Sequence, residues 1–173
     1  AISAFICMIN YSFSGIDHAV SLRDELFYLE KYIYIQKLRY QNLFTYEAQV
    51  PGELLDAQIP KLILQPIVEN SVNYGIRNID WEGRIVLSVY REEEKVCISI
   101  KDNGVGMTEE RIAQVMQNCI SHQEDTGDSN GVGLNNVMER LHLFFDGAEE
   151  FVMMSEGPGR GTEVVIRIPY LKM

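Results

Sequence analysis

The sequence predicts an α+β fold, a two-layer sandwich in which a mixed sheet is covered on one face by about three helices. Three observations carry this. Strand-like and helix-like stretches segregate into hairpins and covering helices, with no regular βαβ alternation. Two β-rich runs, 84–90 and 95–101, flank the charged triplet Glu92, Glu93 and Glu94, so they pair as an antiparallel hairpin. At 173 residues, with 46% apolar and 10% aromatic side chains, the chain has the length and core of one domain.

The elements follow in order. The apolar start AISAFICMINYSF lacks a basic leader and is shorter than the roughly 20 residues that span a bilayer. Its abrupt beginning suggests that residues 1–20 are the remnant of a longer helix, ahead of a domain over 21–173. Ser21 with Asp24 and Glu25 reads as a helix start. Leu22, Leu26, Leu29, Tyr32, Ile33, Ile35, Leu38 and Tyr40 then recur at mostly three- and four-residue steps, giving a helix to about residue 40. A strand covers 43–50, and Pro51 and Gly52 turn the chain.

Pro60 opens a second helix that runs to Gly75, with Pro66 inside it imposing a kink or a late start. After the hairpin, Thr108, Glu109 and Glu110 cap a short helix to about 118, and the polar stretch SHQEDTGDSNG follows as a mobile loop. A helix at 134–145 and strands near 150–155 and 163–169, around the turn GPGRGT, complete the chain.

A formal charge of −10 argues against general affinity for nucleic acid or anionic membrane, so an anionic ligand needs a metal ion or backbone amides. Cys7, Cys97 and Cys119 have no C-x-x-C spacing, which speaks against a disulfide framework or zinc cluster and for a reducing setting. No G-x-G-x-x-G follows a first strand, which excludes a dinucleotide-dependent oxidoreductase.

Four motifs occur in one order: LQPIVENSVNYG at 64–75, DNGVGM at 102–107, GVGLNNV at 131–137 and GPGRGT at 157–162. Asp102 follows a strand and precedes glycines, so its carboxylate either accepts a hydrogen bond from a ligand's amino group or closes a turn on its own backbone. Gly104 and Gly106 permit close backbone approach or simply turn the chain. Gly131 and Gly133 precede a helix whose free amides can meet phosphate oxygens, or they hinge the polar loop. Asn70 offers an amide oxygen, a hard ligand suited to a divalent cation beside phosphates, or is a helix-face asparagine held by backbone.

This ordered set resembles the N, G1, G2 and G3 boxes of the superfamily that joins gyrase, histidine kinases and MutL, across roughly residues 60–170. Upstream, VSLRDELFYLEKYIYIQKLRYQNLFTYE and PKLILQPIVEN look like the LytS-like sensor histidine kinases. The resemblance implies ATP and Mg²⁺ as cofactors. It places Asp102 on the adenine amino group, with Gly104, Gly106 and Met107 beside it. Asn70 becomes the Mg²⁺ ligand, and Glu69 orients the metal or an incoming histidine. Tyr74 lies against the nucleotide, and Gly161 and Thr162 help hold the adenine. Gly131, Val132, Gly133 and Leu134 meet the phosphates, and a lid from about 107 to 133 closes over them.

Asn73 stands where many relatives carry Lys or Arg, and Asn135 where an Arg is frequent; Arg77 and Arg140 are nearby in sequence. Pro66 occupies the place of the glutamate that activates water in the hydrolysing relatives, which favours phosphoryl transfer to a protein over hydrolysis. It also disfavours an anti-sigma-type serine kinase.

The function implied is that of a protein-histidine kinase catalytic domain in a two-component system. The acceptor histidine lies upstream, because His18, His122 and His142 lack an acceptor context. A degenerate nucleotide-binding regulatory module is the alternative. The implied partners are the chain's own upstream phosphoacceptor domain, a response regulator and a second copy in a homodimer, with no nucleic acid. The implied place is the cytoplasmic part of a membrane-anchored bacterial sensor.

Overall fold

The computed structural model describes residues 19–41, 43–121 and 130–171. In chain order the elements are β1 (Ala19–Ser21), α1 (Leu22–Arg39), β2 (Phe44–Gln49), β3 (Gln58–Pro60), α2 (Leu64–Asn70), β4 (Gly83–Glu92), β5 (Lys95–Asp102), α3 (Glu109–Ser121), α4 (Asn130–Phe145), β6 (Glu150–Met154) and β7 (Glu163–Pro169). A π-helical turn, Ser71–Ile76, continues α2. The remnant expected over 1–20 lies, up to residue 18, outside the described residues, as do His18, His122 and the middle of the expected lid, 122–129.

Alternation along the strands builds one apolar sheet face. In the order β2-β4-β5-β7-β6, Ile98 of β5 pairs with Val89 of β4 and Ile166 of β7, and Ile100 pairs with Leu87 and Val164. All of these are buried, and α2, α3 and α4 supply the apolar groups of the same core. The hairpin β4–β5 forms as expected. The mixed character comes from β2, which runs parallel to β4 with Phe44 opposite Gly83. Among the described residues the four expected helices are present: α2, α3 and α4 cover the sheet, and α1 packs on α2, starting at the expected N-cap, where Ser21 Oγ accepts the Asp24 N–H at 3.1 Å.

Two boundaries differ from expectation. The helix expected from Pro60 starts at Leu64, because Gln58–Pro60 pairs antiparallel with Ala19–Ser21 in a small separate ribbon. Pro66 therefore falls in the first turn, where a missing N–H breaks no helical bond. The last helix starts at Asn130 and takes Gly131 and Gly133 into its first turn instead of following them. Each helical glycine costs about 1 kcal/mol. Burial of Leu134, Val137, Leu141 and Phe145 along one face outweighs that cost.

Ile98 sits at the centre of the sheet and is fully buried. Ile98→Ala is expected to lower unfolding free energy by about 2–5 kcal/mol in a urea titration, with an unchanged dependence on denaturant concentration.

Candidate functional site

The apolar row Ile98, Ile100 on β5 ends in Asp102, two residues on and therefore on the same face. A carboxylate thus occupies a position prepared for a hydrophobic side chain, and it is only 4% exposed. Three donors surround it. Oδ1 accepts the Gly104 N–H at 2.9 Å and the Thr162 N–H at 3.2 Å, and Oδ2 accepts the Ser71 hydroxyl at 2.8 Å. Burial pushes the Asp102 carboxyl above its ordinary value of 3.8, and the three hydrogen bonds pull back against that rise without cancelling it.

The turns that bring these donors in are interlocked. Asp102 N–H donates to Thr162 O, Val105 N–H to Gly75 O and Gly161 N–H to Gly104 O. Ser155 Oγ accepts the Met107 N–H and donates to Gly161 O at 2.6 Å. Two glycines have no alternative here. A Cβ on Gly104 would stand 2.3 Å from Gly75 O, and one on Gly161 would stand 1.9 Å from Asp102 O. Both let two stretches of backbone of this chain meet, and neither is among the residues that line the cavity. Asn103 anchors the turn laterally: its side chain bonds Glu82 O and Arg84 N–H, and its carbonyl accepts the indole N–H of Trp81 at 2.9 Å.

Above Asp102 opens a cavity with about 520 Å³ of empty space, counted to its open mouth. Ile67, Val105, Met107, Val115, Leu134, Met153 and Val164 give it apolar walls. Asn70, Ser71, Tyr74, Asp102 and Thr162 supply polar groups, and Gly75 and Gly106 complete the lining. The π-helical turn matters here, since its widened backbone lets the consecutive residues Asn70 and Ser71 both reach the cavity along with Tyr74 and Gly75. Asn70 Nδ2 is buried and has no hydrogen-bond partner in the protein, so this amide is not tied up as a structural one would be.

Of the residues expected from sequence, Asn70, Tyr74, Asp102, Gly106, Met107, Leu134 and Thr162 line the cavity. Asn73 does not: its Oδ1 accepts the hydroxyl of Tyr40, the residue that follows α1, at 3.2 Å. Glu69 is exposed beside α1, where burial and then the Glu69 charge raise the pKa of Tyr32. Gly133 faces Pro66, whose Cβ is 3.6 Å from where a Gly133 Cβ would be, and Gly131 and Val132 immediately precede it in the first turn of α4. Arg140 points away, donating to Lys61 O and Leu62 O, while Arg77 is exposed. His142 is exposed with Nδ1 3.1 Å from Glu149 Oε1. Among the described residues no cluster of His, Cys, Asp and Glu could hold a metal, so a cation here would rely on the Asn70 amide and on the ligand itself.

Ser71 escaped the sequence reading, although its three-residue spacing to Tyr74 puts the two on one helix face.

Residues 56–172, which contain the whole cavity, match the family model described as Histidine kinase-, DNA gyrase B-, and HSP90-like ATPase. The chain belongs to this family. This ATPase-family domain is 28% identical over 162 residues to the sensor protein kinase HptS of Staphylococcus aureus, covering 94% of the chain and 30% of HptS, so it spans about a third of such relatives. Its fold matches a mycobacterial sensor histidine kinase, MprB, with TM-score 0.65 at 14% identity over 91% of this chain and 100% of that one. It also matches the catalytic domain of histidine kinase ThkA, with TM-score 0.63 at 14% identity over 90% and 98%. A third match, full-length ShkA in complex with AMPPNP, has TM-score 0.62 at 16% identity over 99% of this chain and 35% of that one.

Gly104→Ala is expected to displace the DNG turn from α2 and cost more than about 2 kcal/mol, measured by thermal unfolding. Asp102→Asn is expected to act the other way. Because the folded carboxyl is raised, the folded chain holds that proton more tightly than the unfolded chain. Stability is therefore lost as pH rises from the ordinary value through the raised one, and the loss is complete above it. Asn keeps an acceptor for Gly104 and Thr162 and can donate to Ser71, so above that window its melting temperature should exceed that of the parent, and below the window the gain should vanish.

Proposed function

We propose that this domain binds Mg-ATP in the cavity between α2 and β5 and passes the γ-phosphoryl group to a histidine of its parent sensor kinase. The observation that carries the proposal is the buried Asp102 carboxylate at the floor of an apolar cavity. Gly104, Thr162 and Ser71 occupy part of its accepting capacity, and Oδ2 keeps a free lone pair. An exocyclic amino group on a flat base satisfies such an acceptor, whereas a carbonyl at the same place repels it, so adenine is selected over guanine.

Asn70 would turn its amide toward the metal and phosphates; bound ATP supplies the phosphoryl group and, with Mg²⁺, the neutralising charge. Tyr74 would flank the ligand, and the first turn of α4, with Gly131, Val132 and Gly133, would offer amides to phosphate oxygens. Glu69, exposed beside Asn70, is available to an incoming histidine. Pro66 stands against Gly133 where a hydrolysing relative needs a base, which favours transfer to protein over transfer to water.

Kinship with HptS and the AMPPNP bound in ShkA support the reading. So does the LytS-like wording of α1 and the N box. In the parent protein we assign the domain an upstream phosphoacceptor segment, a homodimeric arrangement, a response regulator as final acceptor, and a cytoplasmic position in a membrane-anchored sensor.

Calorimetric titration tests the binding step. Mg-ATP should bind and Mg-GTP should not, and Asp102→Asn should weaken Mg-ATP about 10- to 100-fold, from roughly 1.5–3 kcal/mol for a hydrogen bond to a charged group. Failure of the parent chain to bind millimolar Mg-ATP would sink the proposal. Binding without appearance of acid-labile phosphohistidine in the full-length protein would instead favour a regulatory nucleotide-binding module.

A further inference from the structure

The N-terminus of α2 has no cap of its own, since Ile63 occupies the cap position without a side-chain hydrogen bond. Its free N–H groups go to a carboxylate from another helix. Glu25, in the first turn of α1 and 37 residues before Leu62, accepts the Leu62 N–H on Oε1 at 2.6 Å. Its Oε2 accepts the N–H groups of Ile63 and Leu64, each at 3.2 Å. The side chain is buried, with 3% exposure. An anion at a helix N-terminus is favourable, but burying one is costly unless the geometry holds every donor in place.

The turn it grips is itself strained: Leu62 has φ +60°, a region that branched side chains rarely adopt. The carbonyl side of the same turn is gripped from the opposite direction. Arg140 Nη1 of α4 donates to Lys61 O at 3.0 Å and to Leu62 O at 3.5 Å. One strained turn is therefore clamped between an anion on α1 and a cation on α4. Both helices also connect toward the site: Tyr40, the residue that follows α1, bonds Asn73 next to the lining residue Tyr74, and α4 places Leu134 in the cavity wall.

We propose that Glu25 and Arg140 are positioning residues for the nucleotide site. By clamping the turn at 61–64 they fix where α2 starts, and hence where Asn70 and Ser71 stand, and they tie that placement to α1 and α4. The proposal rests on the Mg-ATP reading above. Asn70 is six residues from Leu64, about 9 Å along a stiff helix, so a shift at the clamp arrives at the amide undiminished.

The test is a double-mutant cycle on the whole chain, titrating Mg-ATP well below the melting transition. Glu25→Gln keeps the shape but sets an amide N–H₂ against backbone donors, and it should weaken Mg-ATP about tenfold, as loss of outer-shell support does. In an Asn70→Ala background the same change should weaken what binding remains by less than about twofold, because the group being positioned is gone. Glu25→Asp should recover part of the affinity.

The accompanying loss of melting temperature should be the same in both backgrounds. Arg140→Met, which loosens only the carbonyl side, should repeat the pattern and replaces Glu25→Gln if that variant does not fold. Lowered melting temperature with unchanged affinity, or equal affinity losses with and without Asn70, would overturn the proposal while leaving the nucleotide reading intact. Absence of Mg-ATP binding by the parent chain would overturn both.

Discussion

A single desolvated carboxylate organises the binding end of this molecule. An ionised Asp102 in an apolar layer is tolerable only with several donors at hydrogen-bond range. The fold draws them from three separate places: the π-helical turn after α2, the turn after β5 and the turn before β7. Meeting at one side chain forces those backbones into contact, which is why side chains are missing at Gly104 and Gly161. The cavity is the space that this convergence leaves under α3 and α4. Its polarity is accordingly lopsided, with apolar walls and acceptors concentrated at the floor.

The same cavity is short of positive charge. Among the described residues no Lys or Arg lines it, and Arg140, close by in sequence, is committed to carbonyls at the start of α2. In a chain of net charge −10, affinity for phosphates has to come from backbone amides and from a cation brought with the ligand. On the proposed Mg-ATP reading, recognition would be divided, with the base read by protein side chains and the phosphates held mainly by main chain and metal.

What the sequence disclosed was whatever depends on local pattern. The strand pattern placed Asp102 at the end of β5, the capping signal at Ser21 marked the start of α1, and the order of glycine motifs identified the turns that meet at Asp102. What stayed hidden depends on partners distant in the chain. Glu25 carries an ordinary first-turn signature, and only the fold shows that it caps a different helix. Ser71 is a small polar residue like many others until Asp102 is placed beside it. The early start of α4 was masked because glycine propensity argues against helix, and packing of Leu134 and Val137 overrides it. The parallel placement of β2 had no local marker, since parallel and antiparallel edge strands read alike over six residues.

The chain contains one tryptophan, and its location gives the domain an intrinsic optical probe. Trp81 is 43% exposed, and its indole N–H is bound to the carbonyl of Asn103, the residue next to Asp102. Its emission therefore registers the condition of that turn more than the state of the sheet as a whole, whose ellipticity reports on all strands together. Comparing fluorescence with circular dichroism along one denaturation curve separates loosening of the binding end from cooperative collapse of the core, with no label attached.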